Sequence, residues 1–199
     1  MTIAVASILC ILLAGYAASQ AGQSGNVLYQ ADWSKGMDGW SGSADWKHFA
    51  DMLVNDGSNI ETGHRIMAPY QPKSQDYAIE AKILLIDPQC GGTKKQFGLI
   101  ARATEQGGIL GGFDCPQAAL ASTEDGRFDF FDPIASQNFT PGTKWHVYRL
   151  AVQGNKIRLF VDGAPLLEKA NKRYLDNGKV GMFSIGAQIS VRSFKVLRL

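Results

Sequence analysis

The passage KWHVYRLAVQGNKIRLFVDGAPLLEKA, residues 144–170, constrains the fold of this chain more than any other. A strand over residues 144–152 meets Gly154-Asn155, returns through KIRLFV, and turns again at Asp162-Gly163. Gly-Asn and Asp-Gly pairs between β-branched and aromatic runs supply the positive φ values that two-residue hairpin turns require. Strands joined in this way are antiparallel.

The rest of the chain agrees. Tyr77, Ile79, Ala81, Ile83 and Leu85 share one face while Glu80 and Lys82 take the other, the period of a half-buried strand. NVLYQADW, QFGLIARAT and GGILGGFD read as strands, and GKVGMFSIGAQISVRSFKVLRL as two more around a glycine turn. Helical period is absent, with APLLEKANKRYLDNG the one candidate for a turn or two. No internal repeat, low-complexity region or second-domain linker interrupts the pattern. The expectation is an all-β, antiparallel two-sheet sandwich, one domain over residues 26–199. The 22 glycines suit a turn-rich chain. A domain of roughly 175 residues buries about 70% of its unfolded surface, so it needs no metal or dense disulfide framework.

Residues 3–18 form an almost unbroken apolar run, followed by small residues around Ala17, Ser19 and Ala21. That is a signal-peptide pattern over residues 1–21, and it is short for a membrane span. No Lys or Arg precedes the run, which leaves an uncleaved signal anchor as the alternative. Leu9 is too large for the cleavage site that lipidation at Cys10 would need. The expected location is secreted, periplasmic or extracellular, with membrane attachment only through the N-terminal segment.

Export frames the two remaining cysteines. Taken as an antiparallel meander, residues 77–85, 96–104 and 107–114 would bring Cys90, after the first strand, to Cys115, after the third. The expectation is a Cys90–Cys115 disulfide in an oxidising compartment, with two free thiols as the alternative.

The formal charge of +2 points to neither nucleic acid nor an anionic membrane as partner. Its distribution is uneven: from residue 144 onward 11 Lys and Arg face only Asp162, Glu168 and Asp176. Two readings follow, solvent faces of late strands or a basic surface for an acidic polysaccharide. The first is favoured, because distant segments interleave in a sandwich.

The order LYQADWSKGMDGW, DYAIEAKILL, FGLIARA, WHVYRLAVQGNKIRLFVDGAPLL and GKVGMFSIGAQISVRSFKVLRL resembles the concanavalin A-like lectin/glucanase superfamily in its laminin G-like branch. It is also similar to the keto-disaccharide hydrolase-type domains of bacterial secreted proteins. The resemblance implies a jelly-roll sandwich of two curved sheets, with ligands on the concave face or at the loop rim. It does not fix function, since such domains serve as lectins, glycosidases and adhesion modules.

Glycoside hydrolysis needs two carboxylates about 5–10 Å apart. Laminarinase-like relatives carry them on one strand, and none of Glu61, Glu80, Glu105, Glu124 or Glu168 has the required neighbours. The nearest approach is EDGRFDFFD, where Glu124-Asp125-Gly126 reads as a turn and Asp129 and Asp132 fall on opposite faces of a regular strand. A solvated acidic hairpin is the preferred reading there. Hydrolase-type relatives pair their long strand with an Asn-Ser-Gly segment and an Arg; KKQFGLIAR keeps Gly98 and Arg102 but lacks Asn-Ser. His48, His64 and His146 lack zinc-ligand spacing. Calcium is common in the superfamily and Asp32 occupies a plausible place, though an Asp at a strand end is more often a cap.

Sugar binding needs an aromatic ring for stacking beside a bidentate polar group. The candidates are Arg102 at a strand end, Phe113 and Asp114 beside the expected disulfide, and Trp33. Within residues 31–49 Trp40 is expected in the core and Trp46 facing inward, leaving Trp33 as the exposed indole. Asn138-Phe139-Thr140 is a glycosylation sequon relevant only in a eukaryotic host. A non-catalytic carbohydrate-binding or adhesion module is the preferred function, ahead of a hydrolase on a sugar derivative or a purely structural module.

Overall fold

A computed structural model describes residues 26–61, 64–92 and 94–199. The expected signal segment, residues 1–21, lies outside the described residues. One sheet holds eight strands: β1 (Val27–Gln30), β3 (Trp46–Phe49), β4 (Met52–Asp56), β6 (Tyr77–Leu85), β11 (Trp145–Gln153), β12 (Lys156–Val161), β13 (Ala164–Ala170) and β15 (Gln188–Arg198). The other holds seven: β2 (Ser41–Gly42), β5 (Arg65–Met67), β7 (Gln96–Ala103), β8 (Ile109–Asp114), β9 (Gln117–Ser122), β10 (Pro133–Asn138) and β14 (Lys179–Ile185). Their orders are β13-β12-β11-β6-β15-β4-β3, with β1 also on β15, and β10-β9-β8-β7-β14-β5-β2. The pairings are antiparallel, as the hairpin chemistry requires.

The two hairpins at residues 144–170 form as read. Gly154 sits at φ 52°, and Asp162 and Gly163 at 52° and 81°. The second is the pairing of positive φ values that a tight type I′ turn uses. Residues 164–170 are a strand, where the sequence allowed a helical turn. The Asp162-Gly163 hairpin delivers them against β12, and Glu168 there meets Lys156 and Arg158 across the pair. Cross-strand charge pairs of this kind support a sheet edge.

The layers meet on the expected alternating faces. Ile79, Ala81, Ile83 and Leu85 of β6, with Tyr148 and Leu150 of β11, pack onto Phe97, Leu99, Phe113 and Leu120 of the seven-stranded sheet.

One topological expectation is corrected. β6 does not continue into β7 as a meander; the chain crosses from the eight-stranded to the seven-stranded sheet. The Cys90–Cys115 disulfide forms nonetheless, with Cα atoms 5.5 Å apart. The crossover returns the chain beside the start of β7, where Gln96 pairs with Asp114, so Cys115 lies at hand.

Residues 31–49 are scaffold, but not as expected. Trp33, in a 3-10 turn over Trp33–Lys35, is only 4% exposed. Trp40 is half-buried and packs on it at 5.0 Å between ring centres, and on Phe194 at 5.1 Å. Trp46 is buried as expected. The capped 3-10 turn, with the Asp32 carboxylate accepting from Ser34 N–H, rolls the Trp33 indole inward.

Candidate functional site

Three of the four sugar-binding candidates are absorbed by the fold. Trp33 is in the core, and Phe113 is fully buried against Phe97, at 5.5 Å between ring centres. Neither offers a ring face to a ligand. Arg102 sits at φ 52° in a bulge, where β7 and β14 shift register between Lys179 and Gly181. Its buried guanidinium donates to the carbonyls of Gln75, Gly154 and Tyr174 at 2.7, 2.9 and 3.2 Å, tying three loops together. Its backbone N–H donates to the Tyr77 hydroxyl, whose pKa burial pushes up to about 12. Arg102 holds the rim together rather than projecting from it. Asp114 alone remains half-exposed, accepting from Gln96 Nε2 at 2.7 Å.

What the sequence did not reveal is a loop that lies across the outer face of the seven-stranded sheet. It leaves β9 and rejoins β10 at the same end of the sheet. Between them Phe128 and Phe130 insert against Met67, Ile100, Leu110, Phe183 and Ile185, forming a second apolar cluster on the far side of that sheet. Arg65 of β5 stands over Phe128, its guanidinium carbon 4.2 Å from the ring centre. Asp129, 1% exposed, is held by Lys94 at 3.3 Å and Arg127 at 2.9 Å. Phe130 N–H donates to Gln96 Oε1 at 3.1 Å, which links the loop to Asp114 through the same amide. Burial, with the nearby Asp129 charge adding to it, raises the Asp114 pKa, while Gln96 and Lys94 pull it down.

The same loop turns one aromatic outward. Phe131 is 73% exposed, with the Arg127 guanidinium carbon 4.4 Å from its ring centre on one face. It lines a pocket of about 260 Å³ with Glu124, Asp125, Asp132 and Arg173, near the ends of β9 and β13. Arg173 is paired with Glu124. An open ring edged by carboxylates and guanidinium groups can stack a sugar's C–H face and hold its hydroxyls. A larger groove of about 640 Å³ lies toward the other edge of the sheet, around β2, β5 and the start of β14.

The carboxylates do not assemble a hydrolytic dyad at Asp129 and Asp132: the first is buried in two ion pairs and the second is exposed. Residues 127–132 are loop rather than hairpin strand. Asp32 does not fit a calcium site, since its carboxylate serves Ser34 and Lys35. Among the described residues no group of three or more His, Cys, Asp or Glu could hold a metal ion. Among them, too, no helix is long and apolar enough to cross a membrane.

The fold, two antiparallel sheets packed as a sandwich, defines a class, the galectin-like and concanavalin A-like β-sandwich. No family model matches the chain, and no curated protein does. Among solved structures it is similar to the carbohydrate-binding module CBM66 from Bacillus subtilis, at 16% identity, over 81% of this chain and 97% of that one, with TM-score 0.66. A protein of unknown function with a galectin-like fold from Bacillus subtilis matches at 12% identity, 86% and 96% coverage and TM-score 0.65. The metal-free Emp46p carbohydrate recognition domain matches at 13% identity, 86% and 94% coverage and TM-score 0.62. At these identities the likeness is one of fold.

Proposed function

We propose that this protein is a non-catalytic carbohydrate-binding module of a secreted or surface protein, and that it stacks a sugar ring on Phe131. The observation that carries the reading is a phenylalanine 73% exposed in a pocket of carboxylates and guanidinium groups. What supports a binding role is the company of the ring, since carboxylates and guanidinium groups beside an open aromatic face can hold a sugar's hydroxyls while the ring stacks on its C–H face. Carbohydrate-binding and carbohydrate-recognition domains among the structures of like fold support the ligand class. The apolar run at residues 3–18 and the Cys90–Cys115 disulfide support an exported protein. Within the fold, the order of sequence motifs supports the laminin G-like branch, although KKQFGLIAR departs from the hydrolase-type segment.

A glycan array on the full chain, followed by titration of the best neutral ligand, tests the reading. Phe131→Ala is expected to weaken that ligand at least about tenfold with little change in melting temperature. Asp132→Asn is expected to weaken it too. A flat array, or unchanged affinity in Phe131→Ala, overturns the assignment of this pocket.

A further inference from the structure

The larger groove has a different chemistry from the Phe131 pocket. Met67 and Ala103 contribute its apolar surface, Ser41, Gln71 and Asn177 its polar groups, and among the described residues no Phe, Tyr or Trp lines it. A ligand there finds no ring to stack on, so its affinity comes from charge and hydrogen bonds.

The two basic residues are rooted apart on the sheet. In the β5–β14 pairing Phe183 lies opposite Arg65 and Gly181 opposite Met67. Lys179 therefore stands four residues along β14 from the partner of Arg65, about 13 Å at the usual strand rise. Val180 points into the core between the sheets, so Lys179 and Met67 share the outer face. Lys179 is exposed and its side chain, among the described residues, makes no ion pair or hydrogen bond. Among the described residues Glu105 is the one carboxylate that lines the groove. Asn177 donates its amide N–H to the Lys73 carbonyl at 2.7 Å, which fixes the side chain and leaves its oxygen to accept. At the edge strand Gly42 lets β2 close on β5, because a Cβ there would fall 2.1 Å from the Arg65 carbonyl oxygen.

Two basic residues rooted about 13 Å apart along the sheet, with polar side chains between them, match a saccharide with carboxylates at intervals. The geometry points to a uronate-containing oligosaccharide as the ligand of this groove, with Lys179 and Arg65 each on a carboxylate and Gln71 and Asn177 on hydroxyls. The inference rests on the carbohydrate-binding reading for the class of ligand, and not on the Phe131 pocket.

The test is calorimetric titration of the full chain with short galacturonide, glucuronide and mannuronide oligomers and with their carboxyl-reduced, neutral counterparts. At least one charged oligomer is expected to bind about tenfold or more tightly than its neutral form, and to weaken as salt is raised. Lys179→Ala is expected to remove that preference, Lys179→Arg to keep it, and Phe131→Ala to leave it intact. Equal affinity for charged and neutral forms, or a preference that survives Lys179→Ala, overturns the inference. No uronide binding beside a neutral-glycan signal that depends on Phe131 overturns it while the carbohydrate reading stands. Loss of both signals overturns the two together.

Discussion

The Arg65 guanidinium carbon stands 4.2 Å above the centre of the Phe128 ring, so a strand near the sheet edge grips the loop that covers the sheet. Phe128 is fully buried in the outer cluster, whereas Phe131, three residues on, is exposed. Phe128→Ala is expected to cost about 3–5 kcal/mol, and Phe131→Ala within about 0.5 kcal/mol. Urea denaturation of both variants checks this. Small and equal losses would mean that the loop is no part of the cooperative fold.

Arg102 is expected to act on stability rather than on ligand. Its removal strands the carbonyls of Gln75, Gly154 and Tyr174 at once. Arg102→Ala is expected to lose about 3–5 kcal/mol, and Arg102→Lys to recover less than half of it, since an ammonium lacks the planar fork. Denaturation and glycan titration together decide the matter. A variant that keeps its stability but no longer binds sugar returns Arg102 to the site.

How much was legible depended on which sheet was being read. YAIEAKILL alternates because the outer face of the eight-stranded sheet stays half-exposed at Glu80, Lys82 and Leu84, so β6, β11 and β12 were plain from the sequence. QFGLIARA does not alternate, and β7 is buried at every position. That lack of alternation was the available signal that something covers the other face. The covering residues hid in EDGRFDFFD, where acidic neighbours made the phenylalanines look solvated. In an extended run Phe130 and Phe131 cannot both point inward, which was a signal for an exposed ring. Phe113, expected beside a polar group, is buried, whereas Phe131 is exposed with the Arg127 guanidinium on one face. Backbone geometry explains the rest: a bulge at Arg102 and a 3-10 turn at Trp33 redirect side chains in ways that residue spacing does not encode.

The disulfide is expected to stabilise without shaping the site directly. Cys90 and Cys115 close a separation of 25 residues, so the Cys90→Ala/Cys115→Ala variant should lose roughly 3 kcal/mol in the chain-entropy model. Thermal melts with and without reductant should show the same loss in the wild type and none in the variant. A wild type whose melting is indifferent to reductant contradicts the bridge.

The tryptophans provide a second contrast. Trp33 is 4% exposed and Trp40 half-buried, so Trp33→Ala is expected to cost about 3–5 kcal/mol and Trp40→Ala less. Chemical denaturation ranks them. The reverse order would show that the 3-10 turn does not hold the Trp33 indole in the core.

Asp114 gives the chain a pH dependence whose sign is fixed by its surroundings. Burial raises its folded pKa, the Asp129 charge raises it further, and the Gln96 amide and Lys94 oppose them. A carboxyl raised on folding binds its proton more readily in the native state, so its ionisation lowers stability as pH rises through the folded value. Asp114→Asn keeps an acceptor for Gln96 and removes the titration. Relative to that variant, the wild type should gain stability as pH falls from neutral, and the gain should level off below the unfolded carboxyl value of about 3.9. Four exposed or nearly exposed carboxylates, Asp32, Asp56, Asp87 and Glu168, are shifted the other way, chiefly by side-chain hydrogen bonds. Their contribution is lost on acidification in both proteins, so it cancels in the difference. Urea denaturation of the pair from pH 7 to pH 3.5 measures that difference directly. A difference that stays flat with pH would mean that water reaches Asp114 freely, and that the loop does not seal the sheet at Gln96.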